Sequence, residues 1–171
     1  MKPIAYYLKI IIFLFICCST TCLYATDEVY SLKGIVLGSD IAEIANDERF
    51  ECQITNSPLG DKTCHLMEKY ISQETIADVP VSTVTLHYFN DKLKSIVITF
   101  DQKHFYPVQE ALEQTYGAPS TYRIETYVNR WYELYEGHVY IWENNALMID
   151  AIECFPGPGE SAVVYKLDFN R

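Results

Sequence analysis

The chain has 171 residues, enough for one domain or for a leader and one domain. Hydrophobic residues make up 49% and charged residues 21%, which excludes a wholly disordered chain. Asp and Glu number 23 against 13 Lys and Arg, a formal charge of −10, which argues against nucleic acid as a partner because phosphate neutralisation needs a basic footprint.

Residues 1–25 read as a signal peptide. Lys2 and Lys9 supply positive charge, and Ile10 to Cys18 is an unbroken apolar run. Such a run rises about 14 Å as a helix, too short for a hydrocarbon core of about 30 Å. Ser19, Thr20 and Thr21 follow it, and Leu23-Tyr24-Ala25 offers a cleavage site before Thr26. An uncleaved anchor would need the run to extend through Tyr24. Lipidation at Cys22 would need a Leu and small-residue pattern that Ser19-Thr20-Thr21 lacks. The expectation is a single domain over 26–171, periplasmic or secreted, with no membrane insertion after cleavage. Loss of Lys2 and Lys9 leaves 23 acids against 11 bases, a charge of −12. That favours solubility and disfavours anionic membrane surfaces; it could attract a basic protein or simply be a solvated surface.

Tyr30 to Leu37 reads as a strand or extended segment ending at Gly38. Asp40 and Glu43 have capping-box spacing, so a short helix is expected, with Ile41, Ile44 and Ala45 on one face. Cys52 and Cys64 flank a polar stretch holding Asn56-Ser57-Pro58 and Gly60-Asp61, which predicts a loop. In an oxidising compartment the two should form a disulfide, contributing about 3 kcal/mol in the chain-entropy model. A metal site using Cys52, Cys64 and His65 matches no usual zinc spacing. Cys154, at the end of an apolar run, reads as a buried small hydrophobe rather than a nucleophile. Leu66 to Ile71 fits either a helical turn or a strand.

Val81 to Phe100 gives the clearest pattern. Ser82, Val84, Leu86 and Tyr88 alternate with Val81, Thr83, Thr85 and His87. Asn90-Asp91 makes a hairpin turn, and the return strand aligns Ile96, Ile98 and Phe100. A helix follows, with Phe105, Val108, Ala111, Leu112 and Tyr116 at helical spacing. Pro107 is tolerable in its first turn, Gly117 caps it and Pro119 prevents continuation. Thr126 to Tyr135 and Gly137 to Glu143 read as a hairpin around Glu136-Gly137. Asn144-Asn145 turns the chain into Ala146 to Glu153. Pro156-Gly157-Pro158-Gly159 is a loop, and Ser161 to Phe169 the last strand. The predicted fold is α+β: two helix-plus-sheet units forming one antiparallel sheet with helices packed on one face. The 14 Tyr and 8 Phe against 7 Gly suit a pleated surface.

Three runs carry a resemblance: Lys33-Gly34-Ile35-Val36-Leu37-Gly38-Ser39-Asp40-Ile41, Asp91-Lys92-Leu93-Lys94-Ser95-Ile96, and Ala111-Leu112 with Tyr116-Gly117-Ala118-Pro119. They resemble segments of small exported proteins of Gram-negative bacteria. The order of elements is similar to that of the β-lactamase inhibitor protein fold. The resemblance implies a fold of helix-plus-sheet repeats. It carries no binding residues, so lactamase inhibition is not implied.

The sequence contains no Gly-x-Ser-x-Gly elbow, His-Glu-x-x-His pair, phosphate-cradling loop or calcium loop, so no catalytic residue, metal or cofactor is expected. His65, His87, His104 and His138 form no cluster by spacing. Glu133, Glu136 and Glu143 could be imagined as a hydrolase pair, but chance proximity is expected among so many acids. The feature above background is aromatic: Tyr127, Trp131, Tyr132, Tyr135, Tyr140 and Trp142 crowd adjacent strands. Trp131, Tyr135, Tyr140 and Trp142 are the candidate interaction surface if they face outward, and core if they face the helices. Two functions follow. One is an exported, non-catalytic module binding an exported or envelope protein. The other is a small-ligand or glycan binder, or hydrolase, using the aromatic hairpin 127–143 with Glu133 or Glu143.

Overall fold

A computed structural model describes residues 31–32, 34–57, 60–128 and 132–167. The expected signal peptide and Trp131 lie outside the described residues. The chain opens with a small ribbon, β1 (Ser31–Leu32) against β2 (Ile35–Val36). A single 3-10 turn, Ile41–Glu43, follows with its capping box formed: Asp40 Oδ1 accepts from Ala42 N at 2.9 Å and Glu43 Oε1 from Asp40 N at 3.2 Å. Next come β3 (Phe50–Ser57), β4 (Gly60–Leu66), the one-turn α1 (Glu68–Ile71), β5 (Thr75–Ile76), β6 (Val79–Phe89) and β7 (Lys92–Asp101). The second half holds α2 (Phe105–Tyr116), β8 (Thr121–Val128), β9 (Leu134–Asn144), β10 (Leu147–Ile152) and β11 (Glu160–Leu167).

The main sheet is antiparallel, in the order β3-β4-β6-β7-β11-β10-β9-β8, with β5 paired to β6. Each half is a meander, and the two meet where β7 pairs β11, with Ile98 opposite Val163 and Ile96 opposite Tyr165. One face carries the core. Leu86, Ile96, Tyr165, Ile149 and Trp142 lie across it in register and are all buried. Phe105, Val108 and Leu112 from α2 join this cluster, as do Ile35, Leu37 and Ile44. Val97, Ala162, Ile141 and Val139 sit outside the cluster at the alternate positions, which alternation places on the opposite face. Asp150 shares that face and pairs with Lys166 at 2.6 Å.

The expected pair of helix-plus-sheet units is corrected here. Strand dominates, and among the described residues α2 is the one helix longer than a single turn. The capping box starts a turn that ends at Glu43, because Asn46 to Arg49 is polar and offers the core no second helical stripe. Ile35, Leu37 and Ile44 instead join the core over the first half. The predicted loop between Cys52 and Cys64 is also a strand pair. The two cysteines face each other across β3 and β4, Cα atoms 4.0 Å apart, joined as a disulfide.

The β6–β7 hairpin matches its pattern. Asn90 and Asp91 both have positive φ, 50° and 62°, as a two-residue turn of the favoured twist demands. The predicted turn at Glu136-Gly137 is absent: both residues lie inside β9. Gly137 is required for close approach instead. A Cβ there would lie 3.0 Å from Cys154 Sγ and 3.2 Å from the Tyr127 ring.

Candidate interaction surface

The surface is built by β8, its partner β9 and the first turn of α2. β8 ends the main sheet, so one of its sides pairs with β9 and the other pairs with no described strand. Tyr140 packs against the core cluster, which fixes the face of its partner Tyr122. Alternation puts Ile124, Thr126 and Val128 on that face, opposite His138, Glu136 and Leu134. α2 covers Tyr140 through Phe105, ring centroids 6.1 Å apart, and then runs out. Beyond its cover Tyr106, Tyr122, Ile124, Val128 and Leu134 lie between 48% and 72% exposed. Single exposed apolar residues are ordinary, but several on one face beside an open edge are not.

The inner border of this field is polar and ordered. Tyr122 Oη and His138 Nδ1 share a hydrogen bond at 2.8 Å, and the Tyr122 ring lies 5.0 Å from that of Tyr140. His138 N donates to Glu153 Oε2 at 3.0 Å. Burial, then the nearby Glu153 carboxylate, raises the Tyr106 hydroxyl above its usual range. Burial raises Tyr140 as well. Both therefore stay protonated donors at neutral pH. On the opposite face Arg123 Nε donates to Glu125 Oε1 at 2.6 Å and Tyr127 Oη to Glu125 Oε2 at 2.8 Å. Those bonds, Tyr127 first, hold the Glu125 carboxyl below its usual range. The ensemble offers hydrophobic contact area rimmed by hydroxyls and a fixed pair of opposite charges, the chemistry of a protein contact.

The four aromatic residues singled out in sequence do not share a surface. Trp142 is 4% exposed, and its indole N–H donates to the Gly117 carbonyl at 2.7 Å, tying down the end of α2. Tyr140 is half-buried on the same face. Tyr135 lies on the opposite face, stacked on Tyr127 at 5.5 Å. Trp131 is outside the described residues. Sequence reasoning missed Tyr106, Tyr122, Ile124, Val128 and Leu134. Their signal was present in Tyr122 to Val128, where Tyr, Ile and Val alternate with Arg and Glu as on a strand with one apolar face.

Catalytic geometry is weak elsewhere. Glu133 immediately precedes β9 and Glu143 lies near its far end, about 30 Å away at strand rise, against the roughly 5–9.5 Å that paired carboxylates need. Glu136 and Glu143 fall on opposite faces of β9 by alternation. Cys154 is buried, with Gln102 Nε2 3.4 Å from its Sγ, and burial pushes its thiol pKa up, disfavouring the thiolate a nucleophile needs. Among the described residues no three His, Cys, Asp or Glu side chains are placed to hold a metal ion, and no helix is long and apolar enough to cross a membrane. No protein-family model, curated protein or solved structure matches this chain.

Proposed function

We propose that this chain is an exported, non-catalytic protein-interaction module that engages its partner through the open end of the sheet formed by β8 and β9. One observation carries the reading: an apolar field beyond the cover of α2 adjoins a strand edge that pairs with no described strand. Open edges and exposed apolar fields are both features that partners cover. The Cys52–Cys64 disulfide and the leader-like residues 1–25 support export. A photo-crosslinking amino acid in place of Tyr122, irradiated in the producing cells, tests the site. Protein adducts are expected there and not from the same group at Glu110, on the exposed side of α2. No adduct from position 122, or equal adducts from both, overturns the reading.

A small-ligand or glycan reading has one support, a cleft of about 320 Å3 between the end of α2 and the sheet, lined in part by Trp142 and Glu143. Trp142 is buried and so offers no open face there, although the exposed Tyr116 also lines the cleft. A glycan array with the purified protein tests it, and specific binding lost on Glu143→Gln would favour this reading over the first.

A further inference from the structure

We infer that the occupant of the β8 edge is β8 of a second copy, paired antiparallel about Ile124 so that the two sheets become one. This rests on the reading of β8 and β9 as a protein-contact surface and names its partner. The main-chain geometry comes first. Glu153 N donates to the His138 carbonyl at 2.9 Å, and His138 N donates to the Glu153 carboxylate. The main chain of His138 therefore points toward β10, away from β8. Its opposite residue, Ile124, makes no ladder bonds to β9 and must direct its own N–H and C=O to the free edge. Tyr122 and Thr126 do the same by alternation. With Val128, four residues thus present donors and acceptors in a straight run, since β8 pairs β9 from Thr121 to Val128 without a register shift. The other end strand, β3, carries a register irregularity between Ile54 and Ser57, one of the devices that blunt an edge.

Charge then selects the register. When Ile124 faces Ile124 of the second copy, Arg123 stands opposite the copy's Glu125, and Glu125 opposite the copy's Arg123. Tyr122 faces Thr126 in both directions, and Tyr122, Ile124 and Thr126 of each chain meet as hydrogen-bonded pairs. Centring the pair on Arg123 would set Arg123 against itself, and centring it on Glu125 would set Glu125 against itself. Like charges directly opposite are destabilising and opposite charges stabilising. Registers centred at Tyr122 or Thr126 leave both charges without an opposite partner across the junction. Only the Ile124 register matches hydrogen bonds and charges together. It also gathers Tyr122 and Ile124 of both copies into one apolar stripe on the helix-bearing face.

Sedimentation equilibrium on the protein expressed from the full chain tests the pairing. The expected mass is two chains at micromolar concentration. Ile124→Pro removes one outward N–H and no ladder bond to β9, so a folded monomer is expected, with its far-UV spectrum retained. Arg123→Glu should weaken dimerisation on the order of ten-fold, because both cross-junction pairs become repulsive. Arg123→Glu combined with Glu125→Arg restores the opposition and should restore the dimer. The swap keeps the test decisive if the proline variant fails to fold. A single-chain mass throughout, or a dimer that survives Arg123→Glu unchanged, overturns the inference. Crosslinks from position 122 separate this outcome from failure of the broader reading. Adducts of two chains support self-pairing. Adducts with another protein only overturn it and leave the interaction surface standing, and no adducts overturn both.

Discussion

Tyr88 shows how one side chain can set a pH limit. Its ring is fully buried beneath the first meander, and its hydroxyl has no hydrogen-bond partner among the described residues. Burial, with the Glu43 and Asp40 carboxylates adding to it, pushes its pKa from 10.0 up to about 12. Between those values the unfolded chain has released the proton and the native chain has not. Stability must therefore fall as pH rises through that window, by of order 2 kcal/mol for this residue. Tyr88→Phe is expected to be neutral or stabilising by up to about 1 kcal/mol at pH 7, since it removes an unpaired polar group. It should also flatten the alkaline loss. Urea titrations of both proteins at neutral and alkaline pH check this, and an unchanged alkaline slope would refute the assignment. Gly60 makes the opposite case. A Cβ there would stand 2.4 Å from the Tyr88 carbonyl oxygen, a backbone atom that can move only with the ladder. Gly60→Ala is expected to cost about 2 kcal/mol or more in the same titration. Neither role is readable from sequence. Gly60-Asp61 and Gly137 look alike there, as turn residues, although in both places glycine serves close contact. What distinguishes them is which backbone or side chain arrives from elsewhere in the chain.

At the scale of elements, legibility followed locality. The β6–β7 hairpin and α2 were readable because alternation, turn chemistry and the Gly117 cap all sit within one stretch of chain. The misread elements depended on distant partners. The sequence pattern starts β8 at Thr126 and turns it at Glu136-Gly137, whereas the strand begins at Thr121 and the glycine at 137 serves close contact with Cys154 and Tyr127. The short first helix was expected from its cap, but a cap starts a helix without lengthening it. The aromatic residues of the hairpin divide between two faces, with Trp142 buried and Tyr135 on the face opposite Tyr140. Strand parity could pair Tyr140 with Trp142, but only the position of α2 shows that this parity faces inward. That packing has a measurable consequence. Trp142 both fills the space beneath α2 and donates to its last turn through Gly117. Trp142→Phe keeps most of the bulk and removes the donor. A loss of about 1–2 kcal/mol in chemical unfolding is expected, with helix signal reduced before the sheet melts. A variant as stable as the parent would show that the bond contributes little to holding α2.

Across the whole molecule the decisive junction is β7 with β11, because it alone joins the two meanders within the sheet. Their union is not only a hydrogen-bonded seam. The core cluster runs continuously from Cys64 and Leu86 in the first meander to Ile149 and Trp142 in the second. A sheet joined by one seam but sharing one core should unfold as a unit. The disulfide provides a lever in the first meander and Trp142 a reporter in the second. Cys52–Cys64 closes a sequence separation of 12 residues in the first half, while both tryptophans lie in the second. Reduction should remove about 3 kcal/mol by freeing the unfolded chain. With an m-value of about 1–3 kcal/mol per molar urea, that moves the midpoint by about 1 M or more. If the core is shared, tryptophan fluorescence and far-UV dichroism must shift together by that amount, although Trp142 lies in the other meander from the broken bond. Fluorescence that keeps its midpoint while dichroism splits into two steps would show instead that each meander folds by itself, and that β7 and β11 only dock.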